Sequence, residues 1–285
     1  MEIEILLVPY DSARRGERMG AGPEALIEAG LEARLEQYGH RVRRTVIEPP
    51  IGSWRAEIRT AFELAIILAS AVRSAYAAGR FPLVLAGNCS AALGVCAGLG
   101  GDVAVLWADA HADFNTPDTT VSGFLDGMAL ATLTGRCWTA MAAQIPGFVP
   151  IRADRVWLLG ARDLDPPESE ALMRSAIRRV TAEALDDRVA GQIARELRGI
   201  TPRYLHLDLD VLEPSVGRAN EYAAPGGVSP AALAAFCKAL RQYAPPAAAT
   251  LSAYDPAADA DGRACEAALL VLDALLGGIA RLPGT

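Results

Sequence analysis

The sequence predicts an α/β protein: one domain, residues 1–285, built on a parallel sheet of eight strands with helices over both faces. Short Val/Leu/Ile runs of strand length alternate with longer stretches of helical period. Those short runs are continuously apolar, as expected for strands covered on both sides. The chain is also 52% hydrophobic and 21% charged, which supports a large core and excludes a disordered chain. No composition break or repeat marks a second domain.

Ile3 to Val8 is the first strand. A helix follows from Gly22 to Tyr38, with Leu26, Ile27, Leu31 and Leu35 on one face and Gly39 as its stop. Arg41 to Val46 is the second strand. A long helix from about Trp54 to Ala78 ends near Gly79 and leads into the third, Phe81 to Ala86. Asp102 to Trp107, Arg155 to Gly160 and the short Arg178 to Val180 come next. Arg203 to Leu207 and Ala248 to Ala253 complete the eight, and a last helix runs from about Arg263 to Ala280. Such sheets bind ligands beyond the carboxyl ends of their strands. A site is therefore expected just after residues 86, 107, 160, 207 and 253.

Charge and cysteine usage exclude several function classes. With 27 basic against 34 acidic side chains and a net charge of −7, nucleic acid and anionic membrane are not the expected partners. The N-terminus, Met1-Glu2-Ile3-Glu4, lacks the basic start of a secretory signal. The apolar stretches from Thr60 to Val72 and from Ala264 to Ala280 are interrupted by Glu63, Glu266 and Asp273, so no membrane span is expected. Five cysteines without CxxC spacing fit neither a disulfide framework nor a zinc ribbon, and a reducing cytoplasm is the expected location.

Two carboxylate clusters carry the chemistry. After the fourth strand comes Asp109-Ala110-His111-Ala112-Asp113, whose acids and imidazole share one side if the backbone stays extended. After the seventh comes Asp208-Leu209-Asp210, again on one face. Four aspartates at strand ends of a partly buried cleft need compensating positive charge. A bound cation supplies it, and oxygen donors with one imidazole suit Mn²⁺, two ions sharing bridging oxygens. A lone Asp is more simply a solvated loop acid or helix cap; two such clusters at two strand ends are not. His206, one pleat deeper than Asp208, reads as a hydrogen-bonded core histidine, and His40 carries no signal.

These segments, with Gly160-Ala161-Arg162-Asp163-Leu164-Asp165-Pro166, resemble the ureohydrolase family of arginases and agmatinases, and the resemblance covers most of the chain in strand order. It implies a three-layer α/β/α sandwich and two manganese ions bridged by a hydroxide that attacks a guanidine carbon. Asp109 and Asp208 would bridge both ions, His111 and Asp210 would complete one shell, and Asp113 would bind the other ion. Asn115 and Ser122 fall where arginases hold the substrate carboxylate, and Asp165 and Glu168 where they hold its α-amino group. Each of these also has a structural reading, Asp165 before Pro166 as a helix cap. The implied partner is a small guanidino amino acid. A homo-oligomer is also implied, although nothing in the sequence locates an interface.

The chain departs from the family pattern at four positions. The family's metal-binding histidine after the third strand is Cys89, read either as a soft ligand to a hard ion or as a small buried hydrophobe. The proton-shuttle histidine is Asp126, a base or an orienting group for a cationic substrate, and with Asp210 it is a candidate catalytic residue. The guanidinium-binding glutamate is Ala253, and Tyr222 stands at a threonine. Losing that glutamate weakens the grip on plain L-arginine unless Asp126, Glu221 or Asp255 replaces it. N-hydroxy-L-arginine, whose hydroxyl lowers guanidine basicity, is the favoured substrate, giving ornithine and hydroxyurea; some arginase-like enzymes of antibiotic biosynthesis carry out that reaction. The alternatives are L-arginine hydrolysis to ornithine and urea, a mononuclear deacetylase-like amide hydrolase, and a degenerate ligand-binding member. Cysteine-nucleophile chemistry at Cys89 lacks an identifiable base.

Overall fold

The computed structural model describes residues 1–50 and 56–277. Its strands are β1 (Glu2–Val8), the two-stranded hairpin β2 (Tyr10–Asp11) and β3 (Arg14–Arg15), β4 (Arg41–Val46), β5 (Phe81–Ala86), β6 (Ala104–Ala108), β7 (Val156–Leu159), β8 (Arg178–Val180), β9 (Arg203–Asp208) and β10 (Ala248–Ser252). Eight of them form one sheet in the order β4-β1-β5-β10-β9-β6-β7-β8, every neighbouring pair parallel. These are the eight segments expected from the sequence, with ends shifted by no more than two residues. The small hairpin between β1 and the first helix was not anticipated.

The helices are α1 (Gly22–Glu28), α2 (Leu31–Gln37), α3 (Glu57–Ala77), α4 (Ala91–Leu99), α5 (Ala129–Leu133), α6 (Thr139–Ala142), α7 (Pro166–Met173), α8 (Asp187–Glu196), α9 (Pro230–Tyr243) and α10 (Arg263–Leu276). The single helix expected over 22–38 is two. Gly30, at φ 91°, turns the chain between α1 and α2 and leaves the apolar period intact on both sides. The expected start of the long helix at Trp54 lies outside the described residues, as do 278–280 of the last helix.

The pleat sorts β1 between two cores. Ile3, Ile5 and Leu7 pack with residues of α1, α2, α8, α9 and α10, while Leu6 and Val8 pack with α3, α4 and α5. The result is a three-layer α/β/α sandwich. Among the described residues, α3 is long and apolar enough by composition to cross a membrane; here Phe62, Leu68 and Val72 are buried in the second of these cores, which also holds α4 and the sheet. All five cysteines are free.

Candidate metal centre

The carboxyl ends of the adjacent strands β5, β10, β9 and β6 deliver the expected site residues, but not through extended backbone. β6 ends at Ala108, and Asp109 Oδ1 accepts from the His111 backbone N at 2.7 Å. β9 ends at Asp208, whose Oδ1 accepts from Asp210 N at 2.8 Å, opening a 3₁₀ turn over Leu209–Val211. In both, an aspartate captures the amide two residues on and bends the chain back. Asp113 then sits at φ 48°, in the left-handed region. The shared face expected from pleating is thus made by two matching turns.

These turns gather two compact donor sets, Cys89 with Asp109 and Asp113, and Asp109 with His111 and Asp210. Within each set the ligand atoms lie within 4.8 Å of one another, and Asp109 belongs to both. Asp208 joins them through Cys89, whose Sγ donates to Asp208 Oδ2 at 3.0 Å. His111 Nδ1 is 3.3 Å from both Asp109 Oδ1 and Asp210 Oδ2. Asp113 Oδ2 is buried with no hydrogen-bond partner. An orphaned carboxylate oxygen among buried acids is costly without a cation, so the residues present fit a metal.

Electrostatics point the same way. Burial, reinforced by the acids' mutual repulsion, holds Asp109, Asp113 and Asp208 above the usual carboxylate range. Burial acts in the same direction on Asp210, but bonds from His111 and the Ala110 amide bring it down to about 2. Burial opposes a charged His111 ring, yet Asp109 and Asp210 outweigh it and raise its pKa. Burial pulls His206 down to about 3. Its ring stacks on Trp107 at 3.8 Å, deep in the sheet, and it belongs to neither donor set.

Cys89, His111, Asp113, Asp208 and Asp210 line a cleft of about 690 Å³, with Asp109 buried behind them. Asp126 lines it too, with both oxygens engaged: Oδ2 accepts from Cys89 N and Asn88 Nδ2, Oδ1 from Ser90 N, just before α4. Burial nevertheless pushes it up to about 7. Asp165 and Glu168 form a capping box at the start of α7. Glu168 Oε1 also accepts from Phe114 N at 2.7 Å, and Asn115 Nδ2 donates to Asp165 Oδ2 at 3.0 Å. Ser122 is at the exposed mouth, accepting from Phe124 N. Tyr222 stands at the rim, 38% exposed, its hydroxyl bonded by Arg18 and its ring stacked on Phe124 at 5.5 Å. The floor near Ala253 is instead reached by the buried Asn220, which donates to the Ala253 carbonyl at 2.8 Å and to Asp210 Oδ2 at 3.4 Å. Of Asp126, Glu221 and Asp255, only Asp126 lines the cleft; Glu221 pairs with Arg18.

Besides Asn220, three contributors were not expected from the sequence. Arg162 donates to the carbonyls of Gly160, Asp210, Val211, Leu212 and Ala224, pinning the Asp210 turn. Its place in Gly160-Ala161-Arg162 was the available signal, but partners 48 to 62 residues away were not. Asp163, in the same segment, also lines the cleft, as does Glu57, which no spacing pattern marks.

Comparisons with known proteins agree with this fold. The family model described as "Arginase family" matches residues 1–277. The arginase of Brevibacillus brevis is 34% identical over 251 residues, 80% of this chain and 81% of that protein. The solved arginase of Bacillus caldovelox superposes with a TM-score of 0.89 at 29% identity, covering 98% of this chain and 99% of the other. For the solved arginase of Bacillus cereus the TM-score is 0.88 at 27% identity, covering 99% and 100%.

Proposed function

The chain belongs to the arginase family, and from that premise we propose that it is a manganese-dependent hydrolase of a guanidino amino acid, with N-hydroxy-L-arginine favoured over L-arginine. The observation that carries the hydrolase is the pair of donor sets that share the buried Asp109 and whose other members, Cys89, Asp113, His111 and Asp210, line one cleft. Cys89, Asp109, Asp113, His111, Asp208 and Asp210 would hold the metal. When bound, manganese supplies Lewis-acid activation of water at neutral pH.

The chain's own residues do the rest. Asn115 and Ser122, at the Asp165 side and the mouth of the cleft, are placed to orient the amino-acid head group. Asp165 and Glu168 present carboxylate charge to its α-amino group while capping α7. Asp126 faces the same space and holds or hands on the proton at the leaving amine. Where a guanidinium-gripping carboxylate stands in the family pattern, Ala253 offers a methyl group and a carbonyl already bonded to Asn220. That supports a less basic guanidine, which needs a weaker counter-charge. Five free cysteines support a reducing, cytoplasmic setting.

The test is ornithine release from Mn²⁺-reconstituted protein offered N-hydroxy-L-arginine and L-arginine in parallel. Faster turnover of the N-hydroxy compound is expected. Faster turnover of L-arginine overturns the substrate preference, and ornithine from neither overturns the guanidino amino acid reading.

A further inference from the structure

A chain of polar side chains runs from Cys89 into the interior of the sheet. Cys89 Sγ is 3.3 Å from Ser252 Oγ, and Ser252 Oγ is 3.3 Å from His206 Nε2. His206 Nδ1 is 3.0 Å from the Tyr204 hydroxyl, which donates to Thr250 Oγ1 at 2.7 Å. Ser252, His206, Tyr204 and Thr250 are all fully buried. They come from the adjacent parallel strands β9 and β10, in which Thr250 pairs with His206 and Ser252 with Asp208. Apolar residues would fill this space at comparable stability. A buried network that meets the Cys89 sulphur in addition to its bond to Asp208 instead fixes where that sulphur points.

The geometry points to Ser252 and His206 as positioning residues that hold the Cys89 sulphur as a metal ligand. Cys89 is held at three points: its backbone N–H donates to Asp126 at 2.9 Å, and its sulphur lies 3.0 Å from Asp208 Oδ2 and 3.3 Å from Ser252 Oγ. Stacking on Trp107 fixes the His206 ring, and Trp107 Nε1 in turn donates to Asp109 Oδ2 at 3.0 Å. One packed unit therefore orients both Cys89 and Asp109, which belong to the same donor set. Outer hydrogen bonds of this kind set ligand orientation, and their loss costs roughly 10–100-fold in metal affinity. This role rests on the metallohydrolase reading above.

The test uses cobalt(II) as the probe, following the sulphur-to-cobalt charge-transfer absorption and the cobalt bound per chain. The band is expected in the unaltered protein and absent from Cys89→Ser. Ser252→Ala is expected to weaken the band per bound cobalt and to lower affinity at least about tenfold, while Ser252→Thr, which keeps the hydroxyl, restores both. A purely structural serine would lower the melting temperature and leave the band per cobalt unchanged, which overturns the assignment. So does absence of the band from the unaltered protein. Should Ser252→Ala fail to fold, His206→Asn gives the same comparison. Guanidine turnover with an unaltered band in Ser252→Ala sinks the positioning role alone. A Ser252-dependent band without turnover of any guanidine sinks the functional reading alone.

Discussion

At the scale of single residues, the site is two aspartates that each fold the chain back on themselves. Asp109 and Asp208 bind the amides of His111 and Asp210 with one oxygen and leave the other for the cleft or its neighbours. Replacing Asp208 by Asn keeps the turn acceptor but removes a charge beside Cys89 and Asp109. Metal retention and turnover are expected to fall together, by more than the ~100-fold that an outer hydrogen bond is worth; metal analysis with a kinetic assay checks it, and retained activity removes Asp208 from the site. Arg162 acts by a different route, satisfying carbonyls along the Asp210 turn. Arg162→Ala leaves those acceptors without their donor and is expected to cost about 2–4 kcal/mol in denaturant unfolding. The Asp and His donors were legible because a charged cluster after an apolar run is rare in a chain of this composition. Asn220 was not: a lone amide between loop residues carries no pattern, and only the return of the β10 exit beside the β9 exit shows what it binds.

At the scale of elements, glycine has opposite meanings in two helices. In α4, a Cβ on Gly98 would lie 2.6 Å from Val72 Cβ and 2.8 Å from the Ala69 carbonyl of α3. Overpacking outweighs the gain in helix propensity there, so Gly98→Ala should destabilise by about 1–2 kcal/mol. In α8, a Cβ on Gly191 meets nothing within 4 Å. Gly191→Ala should stabilise by roughly 0.5–1 kcal/mol. Chemical denaturation of both variants settles the pair, and equal signs would show that the α3–α4 contact is not close-packed. Strand positions were readable because buried parallel strands are bare apolar runs. The break at Gly30 was not, since Leu26, Ile27, Leu31 and Leu35 keep helical spacing across it. The two Asp turns were also hidden, because an Asp two residues from another acid fits a pleat as well as a turn.

At the scale of the whole molecule, the cleft stores like charge that a cation relieves. Buried Asp109, Asp113 and Asp208 with raised pKa values destabilise the metal-free fold. Metal bound to the folded state alone, at about 100-fold above its dissociation constant, adds about 2.7 kcal/mol. Chelator treatment should therefore lower the melting temperature by several degrees and Mn²⁺ should restore it, as calorimetry would show. A midpoint indifferent to both would remove the metal reading from this cluster.

The order of apolar runs, the two acid-rich segments after the fourth and seventh strands, and the presence of Cys89 and Ala253 at strand exits and of Asp126 beyond the fourth strand were determined by the sequence alone, because each is a local property of the chain. Tertiary structure decided the rest. It placed Cys89, from the β5 exit, against Asp208 from β9 and Ser252 from β10. It set Asp165, a cap already legible before Pro166, into a cleft wall together with Glu168, and sent Tyr222 to the rim while Asn220 reached the floor. These outcomes depend on which strand ends become neighbours, and strand order within a sheet is set by packing between residues far apart in sequence.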